Sequence, residues 1–189
     1  MTAASIANRT PSMHPQRRSL VWINVLGGIA VLGSYVHGIV TNPATRGDVW
    51  GGVPEALQPL YTVSMLTAAL GYFAFTSLVL LRLDPDEVRV GRFGYGVFHA
   101  LYAAILLPSA LWMPLTFAML ADPSPALWWA IRLDLALVGA ASLSLLAAIA
   151  VAQPRPAAGH RRIALVGCAA FCFQTAVLDA LVWTAFFPS

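Results

Sequence analysis

The chain contains no lysine, and only 10% of its 189 residues are charged. Charged residues make up about a quarter of an ordinary soluble domain, so this composition excludes one. The absence of lysine also excludes a retinal Schiff base or any other lysine imine. Apolar residues make up 59% of the chain, and its mean hydropathy is +0.73. These values indicate an integral membrane protein.

Cysteine is scarce, and the common catalytic and metal-binding patterns are missing. Cys168 and Cys172 lie four residues apart, which is not the CxxC spacing of a redox pair, and we expect both to be small core residues. No two histidines have His-x3-His spacing, and no Glu-x-x-His occurs. Gly-x-Ser-x-Gly is also absent. The sequence therefore predicts no metal site and names no catalytic residue, which leaves open whether the protein is an enzyme.

Five apolar runs are each long enough for the ~20 residues that a membrane-spanning helix needs. They cover residues 19–41, 57–83, 94–120, 126–152 and 163–187. The first run exceeds the ~7–15 apolar residues of a signal peptide, so we expect it to be retained as a helix. The predicted fold class is an all-α integral membrane protein, a five-helix bundle. It has a polar tail over residues 1–18 and a single membrane domain over 19–189.

The distribution of arginine predicts the orientation of the bundle. Nine of the eleven arginines fall on one side if the N-terminus is cytoplasmic, which leaves Arg46 and Arg132 on the other. The nine are Arg9, Arg17, Arg18, Arg82, Arg89, Arg92, Arg155, Arg161 and Arg162. We therefore expect the C-terminus and the 42–56 loop to be extracytoplasmic. The arginines form no stripe, so no nucleic-acid partner is predicted. The Ala-, Leu- and Arg-rich composition is typical of a GC-rich prokaryote, which favours a plasma-membrane location.

Small residues recur at four-residue spacing on three of the predicted helices. The pairs are Ser34/Gly38, Ala100/Ala104 and Ala140/Ser144. Such pairs let helix backbones approach closely, either within one bundle or between protomers. The five apolar runs make membrane lipid an expected partner, and the small-residue pairs leave a homodimer possible as an alternative.

Polar residues within the spans cluster in the predicted outer half. Counting about 1.5 Å per residue places Trp112, Asp134 and Asp179 roughly 12 Å below the outer surface, with His37 and Tyr61 shallower. An ionisable side chain at that depth costs about 2.5–3.5 kcal/mol, so we expect these groups to face the interior, to pair, or to line a wet cavity.

Arg132 and His37, two further polar residues of the predicted outer half, need separate interpretation. Arg132 is predicted to form a structural ion pair with Asp179, and its guanidinium to stack on Trp128 one turn away. His37 is expected to be a hydrogen-bonded interior histidine, with axial haem ligation as the alternative.

Two sequence motifs carry a family resemblance. Ser109-Ala110-Leu111-Trp112-Met113-Pro114-Leu115-Thr116-Phe117-Ala118-Met119 resembles the third-helix signature Asn-x-x-Trp-x-Pro-x-Phe-Phe of the TspO/translocator (tryptophan-rich sensory) proteins. Leu178-Asp179-Ala180-Leu181-Val182-Trp183 is similar to their fifth-helix Leu-Asn-x-x-Ile-Trp. Ser109 and Asp179 stand where that family has asparagine.

The resemblance implies a five-helix bundle that binds porphyrins, haem-related tetrapyrroles or sterol-like lipids beneath its first loop. It implies that Trp112 is a pocket wall, that Pro114 forms a helix kink, and that Trp183 lies near the rim. The fifth helix has no tyrosine, so the weak cholesterol pattern is missing there and a tetrapyrrole is favoured over a sterol.

The leading hypothesis is a TspO-like sensor or transporter for a hydrophobic planar ligand, with the 42–56 loop as a lid. No cofactor is firmly implied, and porphyrin or haem would be the ligand. The predicted ligand-binding residues are His37, Trp50, Tyr61, Ser109, Trp112, Pro114, Trp128, Asp134, Asp179 and Trp183. The alternatives are a membrane-embedded isomerase or porphyrin-degrading enzyme, a proton-coupled transporter using Asp134 and Asp179, and a purely structural subunit.

Overall fold

The computed structural model describes residues 13–187 and confirms an all-helical chain with five helices long and apolar enough to cross a membrane. They are α1 (Pro15–Thr41), α2 (Gln58–Leu81), α3 (Gly96–Ala121), α4 (Pro125–Val151) and α5 (Ala158–Phe186). Each helix begins and ends within five residues of its sequence-based limits. Arg9 and most of the predicted tail lie outside the described residues.

α1 begins at Pro15, four residues before the predicted start at Ser19, so the last residues of the predicted polar tail are helical. The His14 side chain accepts a hydrogen bond from the backbone N–H of Gln16, and proline suits the first turn of a helix. Arg17 then donates from its guanidinium to the carbonyl of Leu83 at 3.1 Å. These contacts stabilise the polar first turn of α1, which a prediction based on hydropathy alone does not include in the helix.

The helices pack in a fixed order around the bundle. α1 packs against α3, α3 against α4, α4 against α5, and α5 against α2, whereas α1 barely touches α2. Two short 3₁₀ turns, Asp48–Trp50 and Glu55–Leu57, lie in the loop between α1 and α2. We call residues 42–57 the first loop, and the side of the bundle that carries it the first-loop end.

Glycines lie where two pairs of helices, α1 with α3 and α2 with α5, approach each other closely. A Cβ placed on Gly38 of α1 would lie 2.6 Å from the ring of Phe117 in α3. Gly71 of α2 faces Gly167 of α5 backbone to backbone, and a Cβ on Gly167 would lie 2.8 Å from the Cα of Gly71. Of the small-residue pairs in the sequence, Ser34/Gly38 therefore lies at a packing seam, whereas both Ala140 and Ser144 are exposed.

The fifth helix changes its winding part-way along. It is α-helical over Ala158–Cys172, continues as a π-helix over Phe173–Trp183, and ends in a last turn at Thr184–Phe186. A π-helix bonds each residue to the fifth along the chain, and it is usually confined to a single turn near a functional site. Both Asp179 and Trp183 lie in this stretch.

Candidate functional site

A small cavity lies between α1, α3, α4 and α5, in the half of the bundle nearer the first-loop end. Its volume is about 60 Å³, and we call it the chamber. It is lined by Tyr35, Ser109, Trp112, Leu135, Val138, Thr175 and Asp179. A space of this size holds a few water molecules, whereas pockets for drug-sized ligands run to about 300–1,000 Å³.

Aromatic rings form one side of the chamber and continue from it toward the first loop. The Trp112 ring lies 5.6 Å from Tyr35 and 5.7 Å from Trp183, measured between centroids. Trp183 in turn packs on Phe187 at 4.5 Å, and Phe187 stacks on Trp128 at 5.7 Å. The rings are tilted, edge-on or offset, as aromatic pairs prefer, and they make an apolar wall with few rotatable bonds.

The polar side of the chamber depends on the π-helix. Gln174 donates from Nε2 to Oδ1 of Asp179 at 2.7 Å, across five residues. In an α-helix, residues five apart point roughly 140° away from each other, so this pair could not form. The π-helical winding places residues i and i+5 one above the other. The local backbone therefore holds the Asp179 carboxylate in place, and Thr175 on the same stretch bonds Ser142 of α4 at 2.8 Å.

Several buried polar atoms in this half of the bundle have no hydrogen-bond partner within the described chain. They are Trp112 Nε1, Thr116 Oγ1, Asp134 Oδ2 and Gln174 Oε1. Leaving such a group unpaired costs about 1–3 kcal/mol, so each of these atoms marks a place where water or a ligand can supply the missing bond. The four atoms come from α3, α4 and α5, and they include both a donor and acceptors.

The first loop is fastened over this end of the bundle. The indole N–H of Trp183 donates to the carbonyl of Val49 at 3.0 Å, and the N–H of Gly52 donates to the carbonyl of Phe186 at 3.1 Å. Gly51 has a φ of +57°, a conformation that favours glycine, and a Cβ there would meet the ring of Phe187. The loop therefore forms a cap over the aromatic wall.

Tyr61 links the second helix to the same region. Its hydroxyl donates to the carbonyl of Leu178 at 2.8 Å, within the π-helical stretch, and its ring lies edge-on to Trp50 of the first loop at 6.0 Å. Trp50 therefore lies in the cap and Tyr61 lies directly beneath it, and neither residue lines the chamber itself.

The predicted ion pair between Arg132 and Asp179 is wrong: their side chains make no salt bridge in the described structure. Asp179 is held by Gln174, and Arg132 is exposed on the outer face of α4. Its guanidinium lies 5.3 Å from the rings of both Trp128 and Trp129, so the predicted stacking on Trp128 is observed. Arg132 faces outward because Asp134, two residues on, takes the inward side of the helix.

His37 and Pro114 do not reach the chamber, because both are exposed on faces of their helices that point away from it. The α1 residue that lines the chamber is Tyr35. Gly38 marks the face of α1 that meets α3, and a residue three positions earlier shares that face. Gly38 is visible in the sequence, but the helix that it meets is not, so the sequence alone could not decide between Tyr35 and His37.

The ten predicted ligand-binding residues thus fall into three groups. Ser109, Trp112 and Asp179 line the chamber. Trp50, Tyr61, Trp128, Asp134 and Trp183 lie buried or half-buried around it, and His37 and Pro114 face outward. Tyr35, Gln174 and Thr175 were missed by the sequence interpretation. Among residues 13–187, no three His, Cys, Asp or Glu side chains are grouped so that they could hold a metal ion.

Comparison of the chain with protein-family models, with curated proteins and with solved structures gives no match. The functional interpretation of the chamber therefore depends on its geometry and on the motif residues.

Proposed function

We propose that the protein is a TspO-like membrane protein that binds a hydrophobic planar ligand beneath the first loop, as a sensor or a transporter. The observation that carries this proposal is the position of Trp112. It lines the chamber beside Asp179, and its indole N–H is buried without a partner. An aromatic wall with a few unpaired polar groups is the general form of a small-molecule site.

Under this proposal, the rings of Trp112, Tyr35 and Trp183 stack on the flat part of the ligand. Asp179, Ser109 and Thr175, which also line the chamber, meet its polar groups. The chamber, at about 60 Å³, is smaller than a tetrapyrrole, so binding such a ligand requires the cap to lift and Trp112 to move from Trp183. Lifting the cap would break the Trp183–Val49 and Gly52–Phe186 hydrogen bonds.

We further propose that the first-loop end faces the exterior of a prokaryotic plasma membrane. Arg46 and Arg132 lie at that end. The other described arginines lie at the opposite end: Arg17, Arg18, Arg82, Arg89, Arg92, Arg155, Arg161 and Arg162. The excess of arginine on one side supports a cytoplasmic assignment for that side.

Tryptophan fluorescence in detergent tests the ligand proposal. Protoporphyrin IX should quench the native protein saturably, and Trp112→Phe should weaken the midpoint about three- to tenfold, the equivalent of the one hydrogen bond that the indole N–H would donate to the ligand. The matched control is Trp22→Phe, since Trp22 is exposed on α1 near the opposite end, and its midpoint should match that of the native chain. Non-saturable quenching, or an unchanged midpoint in Trp112→Phe, contradicts the proposal.

The two carboxyl groups support a second candidate, a proton-coupled transporter or an acid–base enzyme. Neither Asp134 nor Asp179 has an ion pair with a described basic residue, so each is free to exchange a proton. Flux in liposomes that depends on a pH gradient and is lost in Asp179→Asn would favour transport. Turnover of a bound porphyrin that Asp179→Asn abolishes while binding is kept would favour an enzyme.

A further inference from the structure

A second cavity lies outside the bundle core, as an open groove between α2 and α5 on the surface of the helix bundle. Its volume is about 410 Å³, several times that of the chamber. Its lining residues come only from these two helices. The groove therefore faces the surroundings of the protein, and it is separate from the site of the proposed function.

The groove exists because its floor has no side chains. Gly71 and Gly167 meet backbone to backbone, so the two helices approach closely there and leave a furrow above the contact. Leu70 on one side, and Ile163 and Val166 on the other, form the rims. These three side chains are 72%, 63% and 71% exposed. The groove is therefore an apolar surface bordered by exposed Leu, Ile and Val side chains.

One charged side chain lines the groove. Arg162 is exposed, and it has no hydrogen bond or ion pair with any residue in the described part of the chain. Arg82 and His160 lie beside it at the end opposite the first loop, joined by a hydrogen bond of 3.2 Å from the guanidinium to the imidazole Nε2. Arg162 follows His160 by two residues, so it starts about 3 Å deeper along the helix. A positive group thus stands where an apolar furrow meets the membrane surface.

We propose that this groove binds an anionic phospholipid, with an acyl chain along the Gly71–Gly167 floor and the headgroup phosphate on Arg162. A guanidinium fits phosphate oxygens in a bidentate geometry, and basic sites between helices near the membrane surface are suited to anionic headgroups. Such a lipid matches the groove at both ends, because its acyl chain would contact the apolar rims and its phosphate would contact Arg162.

A helix from a second copy of the chain is the competing occupant, and the charges disfavour it. The acidic residues inside the five described helices are Asp134 and Asp179, and both turn into the bundle in its other half. A helix of a second copy packed in the groove would therefore bring no acidic side chain to Arg162, because the exposed acidic residues at that end, Asp84, Asp86 and Glu87, lie in the connection between α2 and α3 and not on a helix.

Native mass spectrometry of the full chain in mild detergent tests the site. With added phosphatidylglycerol, the native protein should retain one lipid. Arg162→Gln should bind that lipid with an apparent affinity about fivefold lower, which is the contribution of one arginine at a membrane surface. Phosphatidylcholine with the same acyl chains should be retained weakly by both proteins. The control is Arg92→Gln, because Arg92 lies at the same end but its guanidinium rests on the ring of Phe93, outside the groove.

A second variant tests the hydrocarbon part without changing the charge. Ala170 lines the groove, so Ala170→Phe should fill it and reduce phosphatidylglycerol retention while the melting temperature stays near that of the native chain. Equal retention by the native protein and Arg162→Gln overturns the proposal. A dimeric mass that Ala170→Phe converts to a monomer, with no preference between the two lipids, overturns it as well and assigns the groove to a second copy.

Discussion

At the scale of single residues, Trp183 connects the chamber to its cap. Its ring packs between Trp112 and Phe187, and its indole N–H bonds the carbonyl of Val49 in the first loop. The first loop is otherwise tied to α5 by one backbone bond, from Gly52 to Phe186. The closure of the site therefore depends strongly on one side-chain donor.

Trp183→Phe should keep the aromatic packing and remove the donor to Val49. The half-buried carbonyl of Val49 then lacks its partner, so we expect a loss of about 1 kcal/mol of stability and faster hydrogen exchange in residues 48–53. Hydrogen exchange with mass spectrometry and thermal melting in detergent measure the two effects. Trp129→Phe is the control, since Trp129 is 59% exposed at the same end. Unchanged exchange in Trp183→Phe would mean that the loop is held by other contacts.

Some residues of the site could be predicted from the sequence, and others could not. Trp112 and Asp179 were predictable because depth and motif both selected them, and each depends on position along one helix. Tyr35 was not, because the choice between Tyr35 and His37 depends on which face of α1 meets α3. That face is determined by Gly38 against Phe117, a contact between helices remote in the chain.

At the scale of helices, the α2–α5 seam brings two backbones into direct contact at Gly71 and Gly167. Gly71→Ala should push the two backbones apart, because its new methyl group would meet the backbone of Gly167. We expect a loss of about 1–3 kcal/mol of stability, the usual cost of overpacking. Thermal unfolding in detergent measures it.

Gly28→Ala is the matched control for the seam. Gly28 lies within α1, and a Cβ there would meet nothing within 4 Å. Alanine is favoured over glycine in a helix by up to about 1 kcal/mol, so this variant should be as stable as the native chain or slightly more stable. Equal melting temperatures for Gly71→Ala and Gly28→Ala would contradict the assigned seam.

The π-helical stretch shows where prediction of an element from its own residues stops. The length and hydropathy of Ala158–Phe186 predict a spanning helix, and that is confirmed. Its winding is accompanied by contacts from other helices, Tyr61 to Leu178 and Ser142 to Thr175. Because these partners lie 117 and 33 residues away, no local pattern could place Gln174 beside Asp179.

At the scale of the whole molecule, membrane orientation decides which compartment would supply the ligand of the proposed function. Single-cysteine labelling with a membrane-impermeant maleimide tests it in intact cells. Gly47→Cys, in the exposed first loop, should react before permeabilisation, and Glu87→Cys, between α2 and α3, only afterwards. The native protein is the control, because Cys168 and Cys172 are buried and should stay unlabelled. The reverse order of labelling would invert the proposed topology.

The attachment of the cap near Phe187 has a practical consequence for how the protein is handled. Phe187 bonds the carbonyl of Trp183 and lies against Gly51, so any fusion partner or affinity tag joined downstream leaves the bundle within a few residues of the lid. Under the proposed function, such an appendage would compete with the ligand for space, and weak binding measured on a tagged protein would reflect the tag. A purification handle placed ahead of Pro15 would emerge at the end of the bundle opposite the first loop and avoid this interference.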